Sequence, residues 1–435
     1  MYYKTLLIAC LLTCGLLSAK PLDVDVLGQS VILINGETGQ VLFEKNANAI
    51  QFPASTTKVA TALYALNQVG HRLDEMVTAE QDAIASITTA SLKRQEEGKI
   101  PPYWLLVGGT HIGIKRDETM PLRALFYGMM LASGNDAANV IAQHVGGTIT
   151  DFMKGMNVYL KSLGCQNTHF VNPSGLHLTD HQTTAKDMSI IAQEAMKNPF
   201  FRQIVKTTSY LRPETNKQPA HMLTQTNRLL KQGPYYYPKA IGIKTGYYSK
   251  AGHALVAAAQ EGDRMLIAII LHCTERGDAF KDAIKLFDTA FKEPLQVRHL
   301  MSKGTQKYNV KVKGGKGVLQ TYLSDDITVK FYPSEEPSVK AVLNWKEDLI
   351  APLEKDSIVG TIVVRDERGR VLKEVPLLAL NALEQTFASK FQDQLGEYST
   401  LLKGKKGYAL GGLVLVMIGL LWWINKRRRP ATSSY

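Results

Sequence analysis

Ser55 and Lys58 stand three residues apart in the stretch Pro53-Ala54-Ser55-Thr56-Thr57-Lys58-Val59-Ala60-Thr61-Ala62-Leu63-Tyr64-Ala65-Leu66. A serine hydroxyl is a weak nucleophile until a neighbouring base takes its proton. A lysine serves as that base only where burial or a second cation keeps its amine neutral. Two further segments carry matching groups: Ser133-Gly134-Asn135 offers another hydroxyl and a carboxamide, and Lys244-Thr245-Gly246 offers a second cation. Nucleophile, base, proton relay and anion-binding cation are the parts a serine acyl transfer needs.

Each group needs an element to hold it. Val59, Ala62, Leu63 and Leu66 recur at helical spacing, so the first segment reads as a helix start whose apolar face enters a core. Residues three apart share a helix face, which puts the Lys58 amine within reach of the Ser55 hydroxyl. Leu122 to Leu131 and Ala137 to His144 read as helices, with Ser133-Gly134-Asn135 as the loop between them. Ser30 to Asn35 and Gln40 to Glu44 read as a hairpin through Gly36-Glu37-Thr38-Gly39. Asn172-Pro173-Ser174-Gly175-Leu176 reads as a turn, and Thr184 to Met196 as a helix. Strands follow over 241–246, 254–259 and 265–272, then a helix over 279–291. Strands at both ends with helices between predict one sheet assembled from the first and last parts of this region, where Ser55, Ser133 and Lys244 meet. Between Val77 and Pro121 the periodicity is poor, and an irregular excursion is expected.

Beyond Val297 the pattern changes to short, turn-punctuated strands such as 308–312, 327–331, 341–343, 361–364 and 370–372, which predict a small all-β domain. Leu380, Leu383, Phe387, Phe391 and Leu395 mark one face of a helix, read as a stalk lying near a membrane.

The ends and the charge bound the setting. Lys4 precedes an apolar run ending in small residues at Ala19, the pattern of a secretory leader cleaved near that residue; Cys10 also fits an early lipoprotein-type site. Tyr408 to Ile424 is uncharged and apolar, with Trp422 and Trp423 at its edge and Lys426-Arg427-Arg428-Arg429 behind it. This predicts a membrane span with a cytoplasmic basic tail and the bulk of the chain on the extracytoplasmic face of the plasma (inner) membrane. The formal net charge of +12 suits an anionic surface, yet no basic patch is interleaved with aromatics, so no nucleic-acid partner is expected. Without the leader, Cys165 and Cys273 remain, either paired or as two isolated thiols. His177 and His181 have a spacing a metal can use, but no third ligand is evident and His-Glu-x-x-His is absent. No metal or cofactor is expected.

The three motifs in this order resemble those of the low-molecular-mass penicillin-binding proteins, the serine D-alanyl-D-alanine carboxypeptidases. The likeness covers most of residues 28–380 and departs at 77–121 and at the C-terminus, where an apolar span stands in place of an amphipathic anchor. It implies a mixed α/β (α+β) fold: a penicillin-binding, β-lactamase-like antiparallel sheet flanked by helices, plus a β domain. The expected division is a signal peptide over 1–19, the serine acyl-transferase domain over 20–292 and the β domain over 297–378. The stalk helix over 379–403, the span over 408–424 and the tail over 425–435 complete it. The implied partners are peptidoglycan stem peptides ending in D-Ala-D-Ala, β-lactams as covalent inhibitors, and membrane lipid around the C-terminal helix. Ser55 attacks, Lys58 accepts its proton, Ser133 relays a proton and Asn135 holds Lys58 or the substrate. Lys244, Thr245 and Gly246 bind the substrate carboxylate and strand, and the N–H groups of Ser55 and Tyr247 make the oxyanion hole. Two other readings use the same cleft. A class A-like β-lactamase needs a glutamate to activate water, and the Glu194–Asn198 pair is expected to face solvent; a silent peptidoglycan-binding or β-lactam-sensing protein would keep binding alone.

Overall fold

The strand Arg264–Cys273 is apolar at nearly every position because both its faces are covered. Ile267, Ile269 and Leu271 point into one core, and Leu266, Ala268 and Ile270 into another. In the computed structural model, which describes residues 12–13 and 19–401, residues 19–295 together with 332–336 form one unit. Its sheet has five strands: β1 (Ser30–Asn35), β2 (Val41–Lys45), β3 (Ala240–Tyr248), β4 (Gly252–Glu261) and β5 (Arg264–Cys273). They lie in the order β3-β4-β5-β1-β2, and every pairing is antiparallel. β1 joins β5 with Leu266 opposite Asn35 and Leu271 opposite Ser30, so the start and end of the unit close one sheet, as the strand pattern implied. β3 is left at an edge.

One face carries the larger core. Helices α1 (Lys58–Val69), α2 (Leu122–Met130), α3 (Asn135–Gly146) and α5 (Ala185–Lys197) pack there. Two helices unexpected from the pattern join them: α4 (Ile149–Ser162) and α6 (Pro199–Lys206). Both have capped starts, with Thr148 accepting from the Asp151 N–H and Asn198 from the N–H groups of Phe200 and Phe201. α7 (Arg276–Phe291) covers the opposite face through Phe280, Ala283, Leu286 and Phe287. Each fully buried Leu, Ile or Phe contributes roughly 1.5–3 kcal/mol, which fixes the sheet as a rigid platform for β3.

The 77–121 excursion is shorter on regular structure but not shapeless. Met76–Thr78 pairs with Thr119–Pro121, which closes the loop at its neck, and Gln81–Ile84 and Leu92–Glu96 form short helices.

Among the described residues, 296–331 and 337–401 form the other unit. Its strands include Ile327–Phe331, Val339–Trp345, Ile358–Asp366 and Val371–Ala379, around a core of Leu319, Ile327, Val359, Val364 and Leu377. The stalk helix expected over 379–403 is corrected at its start. Ala379 ends a strand, the Leu383 backbone pairs with that of Leu353, and Leu383 is buried in the β core. An i, i+3 spacing cannot distinguish a helix face from a strand end followed by a bridge, and burial of Leu383 decides for the latter. The helix runs Phe387–Leu401, with Phe387, Phe391 and Leu395 exposed. No helix among the described residues is long and apolar enough to cross a membrane. The expected leader over 1–19, residues 12–13 and 19 apart, the span over 408–424 and the tail over 425–435 lie outside the described residues.

Candidate active site

The chain enters α1 through a 3₁₀ turn, Ala54–Thr57, rather than through a capped α-helical start. Ala54 sits at φ 48°, a left-handed conformation that places Ser55 at the tip of the turn. Thr56 and Thr57 donate their hydroxyls to the carbonyls of Pro53 and Ala54, at 2.7 and 2.9 Å. Both threonines are fully buried, whereas Ser55 is half-buried and lines the cleft. Of the three consecutive hydroxyls, the serine's is the one that faces the cleft.

Lys58 opens α1 with its side chain wholly buried. Its Nζ lies 3.0 Å from Ser55 Oγ, 2.7 Å from Asn135 Oδ1 and 2.6 Å from the carbonyl oxygen of Ser174. Burial holds its pKa well below the ordinary lysine value, the nearby Lys244 cation lowers it further, and Asp136 works against both. The amine is therefore tuned toward the neutral form a base requires.

Asn135 begins α3, and the loop before it is strained: Ser133 has φ 62°. The surroundings hold it there. Gly134 N–H bonds to the Gly128 carbonyl, Asn135 N–H bonds to the Thr110 carbonyl, and the buried Asp136 carboxylate accepts the N–H groups of Ile112, Gly113 and Ile114. Asp136 thus ties the end of the excursion to the Ser133 loop, so Thr110 becomes a wall of the cleft.

The Asn172 turn supplies the third partner of Lys58. Asn172 Oδ1 accepts the N–H groups of Gly175 and Leu176, which turns the Ser174 carbonyl toward the amine. On the other side, edge strand β3 carries Lys244, fully buried and with its pKa lowered to about 7 by desolvation. Its Nζ donates to the Thr245 carbonyl at 2.8 Å, and the Thr245 hydroxyl lies 2.9 Å from that of Thr226. Gly246 abuts the serine turn: a Cβ there would stand 3.1 Å from Ser55 N and 3.0 Å from the Pro53 carbonyl oxygen. Tyr247 is exposed and stacks on His253 at 4.3 Å.

Ser55, Ser133, Thr245, Gly246 and Tyr247 line one cleft of about 400 Å³. Lys58, Asn135 and Lys244 stand behind its wall. The sequence pattern did not single out Thr110, Asp136, Thr226, His253 or Arg276. Arg276, which also lines the cleft, opens α7 and has no motif around it; only the folded sheet brings it into the same cleft as Thr245. Asp136 was adjacent to a named motif, and its acidity beside Asn135 was the signal available.

Other groups fall elsewhere. Glu194 pairs with Lys197 at 2.6 Å on the outer side of α5, away from the cleft lining. Cys165 and Cys273 are both free and buried, which decides the alternative left open by the sequence. His177 lies edge-on to Phe52 and stacked on Tyr248, and His181 is buried beneath the serine turn.

This geometry has relatives. Residues 17–275 match the family model described as D-alanyl-D-alanine carboxypeptidase, and residues 296–385 match that described as penicillin-binding protein 5, C-terminal domain. The chain is 30% identical to D-alanyl-D-alanine carboxypeptidase DacF of Bacillus subtilis over 378 residues, covering 85% of this chain and 90% of that protein. It is 29% identical to D-alanyl-D-alanine carboxypeptidase DacA of Escherichia coli over 384 residues, covering 84% and 86%. Among solved structures, the DD-transpeptidase of Streptomyces K15 superposes with a TM-score of 0.53 at 29% identity, covering 62% of this chain and 98% of that one. Penicillin-binding protein 5 of Haemophilus influenzae shares the fold, with a TM-score of 0.56 at 23% identity over 83% of this chain and 99% of that one. With the first model matching more than half of the chain and the Bacillus relative covered nearly end to end, the chain belongs to the D-alanyl-D-alanine carboxypeptidase family.

Proposed function

We propose that the chain removes the terminal D-alanine from peptidoglycan stem peptides through an acyl-enzyme on Ser55. The observation that carries this is the 3.0 Å contact between Lys58 Nζ and Ser55 Oγ, in a site where burial and Lys244 favour the neutral amine. Lys58 takes the Ser55 proton as Oγ attacks the carbonyl carbon of the penultimate residue. Charge gathers on the former carbonyl oxygen, and the N–H groups of Ser55 and Tyr247 receive it. Ser133 relays the proton to the leaving amine, which departs as D-alanine. Water then attacks the ester, and the serine is regenerated.

Positioning comes from the far side of the cleft. The Thr245 hydroxyl meets the substrate's terminal carboxylate, the cation of Lys244 attracts it from behind the cleft wall, and Arg276 lines the same space with a guanidinium suited to bidentate contact. β3 is an edge strand, so the peptide gains main-chain hydrogen bonds by lying along it. A β-lactam acylates Ser55 by the same route and leaves slowly.

The apolar leader and the 408–424 span support an enzyme exported across the plasma membrane and held there by lipid around its C-terminal helix. The exposed face of Phe387, Phe391 and Leu395 suits the same surface. The class A-like β-lactamase alternative loses its candidate water-activating group, since Glu194 is committed to Lys197 outside the cleft. A purely binding role leaves the tuned lysine without purpose.

Incubation of the full chain in detergent with diacetyl-Lys-D-Ala-D-Ala tests the reading. D-Alanine release that disappears in Ser55→Ala is the expected result. Penicillin turnover without D-alanine release, or release that survives the substitution, refutes it.

A further inference from the structure

The His177-to-His181 segment, whose spacing suggests a metal, has another use. His181 is 1% exposed and its ring stacks on Phe170 at 4.9 Å. Both ring nitrogens are engaged: Nε2 lies 2.8 Å from Thr57 Oγ1, and Nδ1 accepts the Val171 N–H at 3.2 Å. The proton positions follow by elimination. A backbone N–H only donates, so Nδ1 must be the unprotonated acceptor. The Thr57 hydroxyl has one hydrogen, and it is given to the Ala54 carbonyl at 2.9 Å. Nε2 must therefore carry its proton and donate it to Thr57. Both demands are met by a single neutral tautomer, in keeping with a pKa pushed by burial down to about 3.

The chain of donors ends on a peptide unit that matters. The Ala54 carbonyl and the Ser55 N–H are opposite ends of one planar trans peptide, so fixing the first fixes the direction of the second. Ala54 holds the left-handed φ of 48°, which a non-glycine residue keeps only under constraint. Ser55 N faces Gly246 of β3, where the oxyanion is expected to form.

We propose that His181 is a positioning residue for acylation, acting through Thr57 and the Ala54–Ser55 peptide to keep the Ser55 N–H aimed at the oxyanion. The inference rests on the acyl-enzyme reading above. Loss of His181 as a donor frees the Thr57 hydroxyl to rotate and releases the Ala54 carbonyl. The cost then falls on the transition state, where the oxyanion carries charge, and spares ground-state binding.

The test follows acylation of the full-length protein by labelled penicillin, separating the dissociation constant of the initial complex from the rate of the covalent step. His181→Phe preserves a ring against Phe170 but removes the donor. The covalent rate is expected to fall by about 10²-fold, the scale of a lost oxyanion donor, with the dissociation constant unchanged. His181→Gln, whose carboxamide again presents an N–H to Thr57, regains most of that loss. A folded His181→Phe protein that acylates at the wild-type rate overturns the proposal, as does an equal fall in both variants or a loss confined to the dissociation constant. If His181→Phe fails to fold, Thr57→Val decides the matter: it leaves His181 in place, and a wild-type covalent rate there overturns the proposal equally. Absence of acylation in the wild-type chain sinks the functional reading, and this proposal with it.

Discussion

The amine nitrogen of Lys58 lies 3.0 Å from the hydroxyl oxygen of Ser55, with the lysine wholly removed from solvent. Burial is the main reason the lysine loses its proton easily, and Lys244 is the second. Acylation requires neutral Lys58, so it declines as pH falls through the lysine's folded pKa. Lys244→Gln removes the opposing cation and lets that pKa rise, so the acid limb of the residual acylation profile moves to higher pH. A limb that stays put or moves lower in a pH series contradicts the assignment.

Lys244 carries a stability consequence of its own. Its pKa is about 7 in the folded protein against 10.5 ordinarily, so the unfolded chain binds more protons between those values and stability rises with pH across that window. Lys244→Met is expected to be more stable than wild type at pH 7 by roughly 1–4 kcal/mol. The gap should close toward pH 10.5. Urea unfolding at pH 7 and pH 10 measures it, and a variant equally or less stable at pH 7 counts against a buried, uncompensated cation.

Gly175 has φ 87°, and a Cβ built on it collides with the carbonyl oxygen of Ala54. Gly175→Ala must strain its own backbone and push the serine turn aside. We expect a loss of stability of about 1–3 kcal/mol together with a fall in acylation of at least about tenfold. Thermal unfolding and penicillin labelling report the two separately, and normal labelling excludes the contact as a determinant of the turn.

Arg276 lines the same cleft as Thr245 without belonging to any motif. If it meets the substrate carboxylate, Arg276→Gln gives up a charge-assisted bond of roughly 1.5–3 kcal/mol, or about 10–150-fold in kcat/KM for D-Ala-D-Ala peptides. A substrate whose terminal carboxylate is amidated should lose little from the same change. Equal losses on both substrates point to a structural effect instead.

Cys165 and Cys273 are free, buried, and carry thiol pKa values pushed up to about 12 by burial. Neither should react with a thiol reagent at pH 8 until the chain unfolds, when both should react without reductant. Rapid labelling of native protein, or a denatured chain lacking two free thiols, contradicts this.

Much of the fold was legible because local pattern and tertiary demand agree. Strand β5 needs two covered faces, and its unbroken apolar run states this directly. α4 escaped notice although Ile149, Phe152, Met153, Met156 and Leu160 recur at helical spacing, because polar residues between them dilute the period. The stalk failed at its start because Leu383 fits a helical stripe as well as a β core, and only long-range pairing with Leu353 separates the two.

Residue types and order alone determined that a serine, a base and a second cation were available on a helix start, a loop and a strand. The 1.5 Å rise of a helix makes the Ser55–Lys58 neighbourhood a local matter, written in the chain. Only the tertiary structure decided that Ser174 lends its carbonyl to Lys58, that Asp136 anchors the cleft wall, that Arg276 lines the same cleft as Thr245 and that His181 meets Thr57 beneath the serine. Those contacts join residues 22 to 124 positions apart, or depend on closure of the sheet. Their cost in chain entropy is met by the whole core at once, so no local spacing records them.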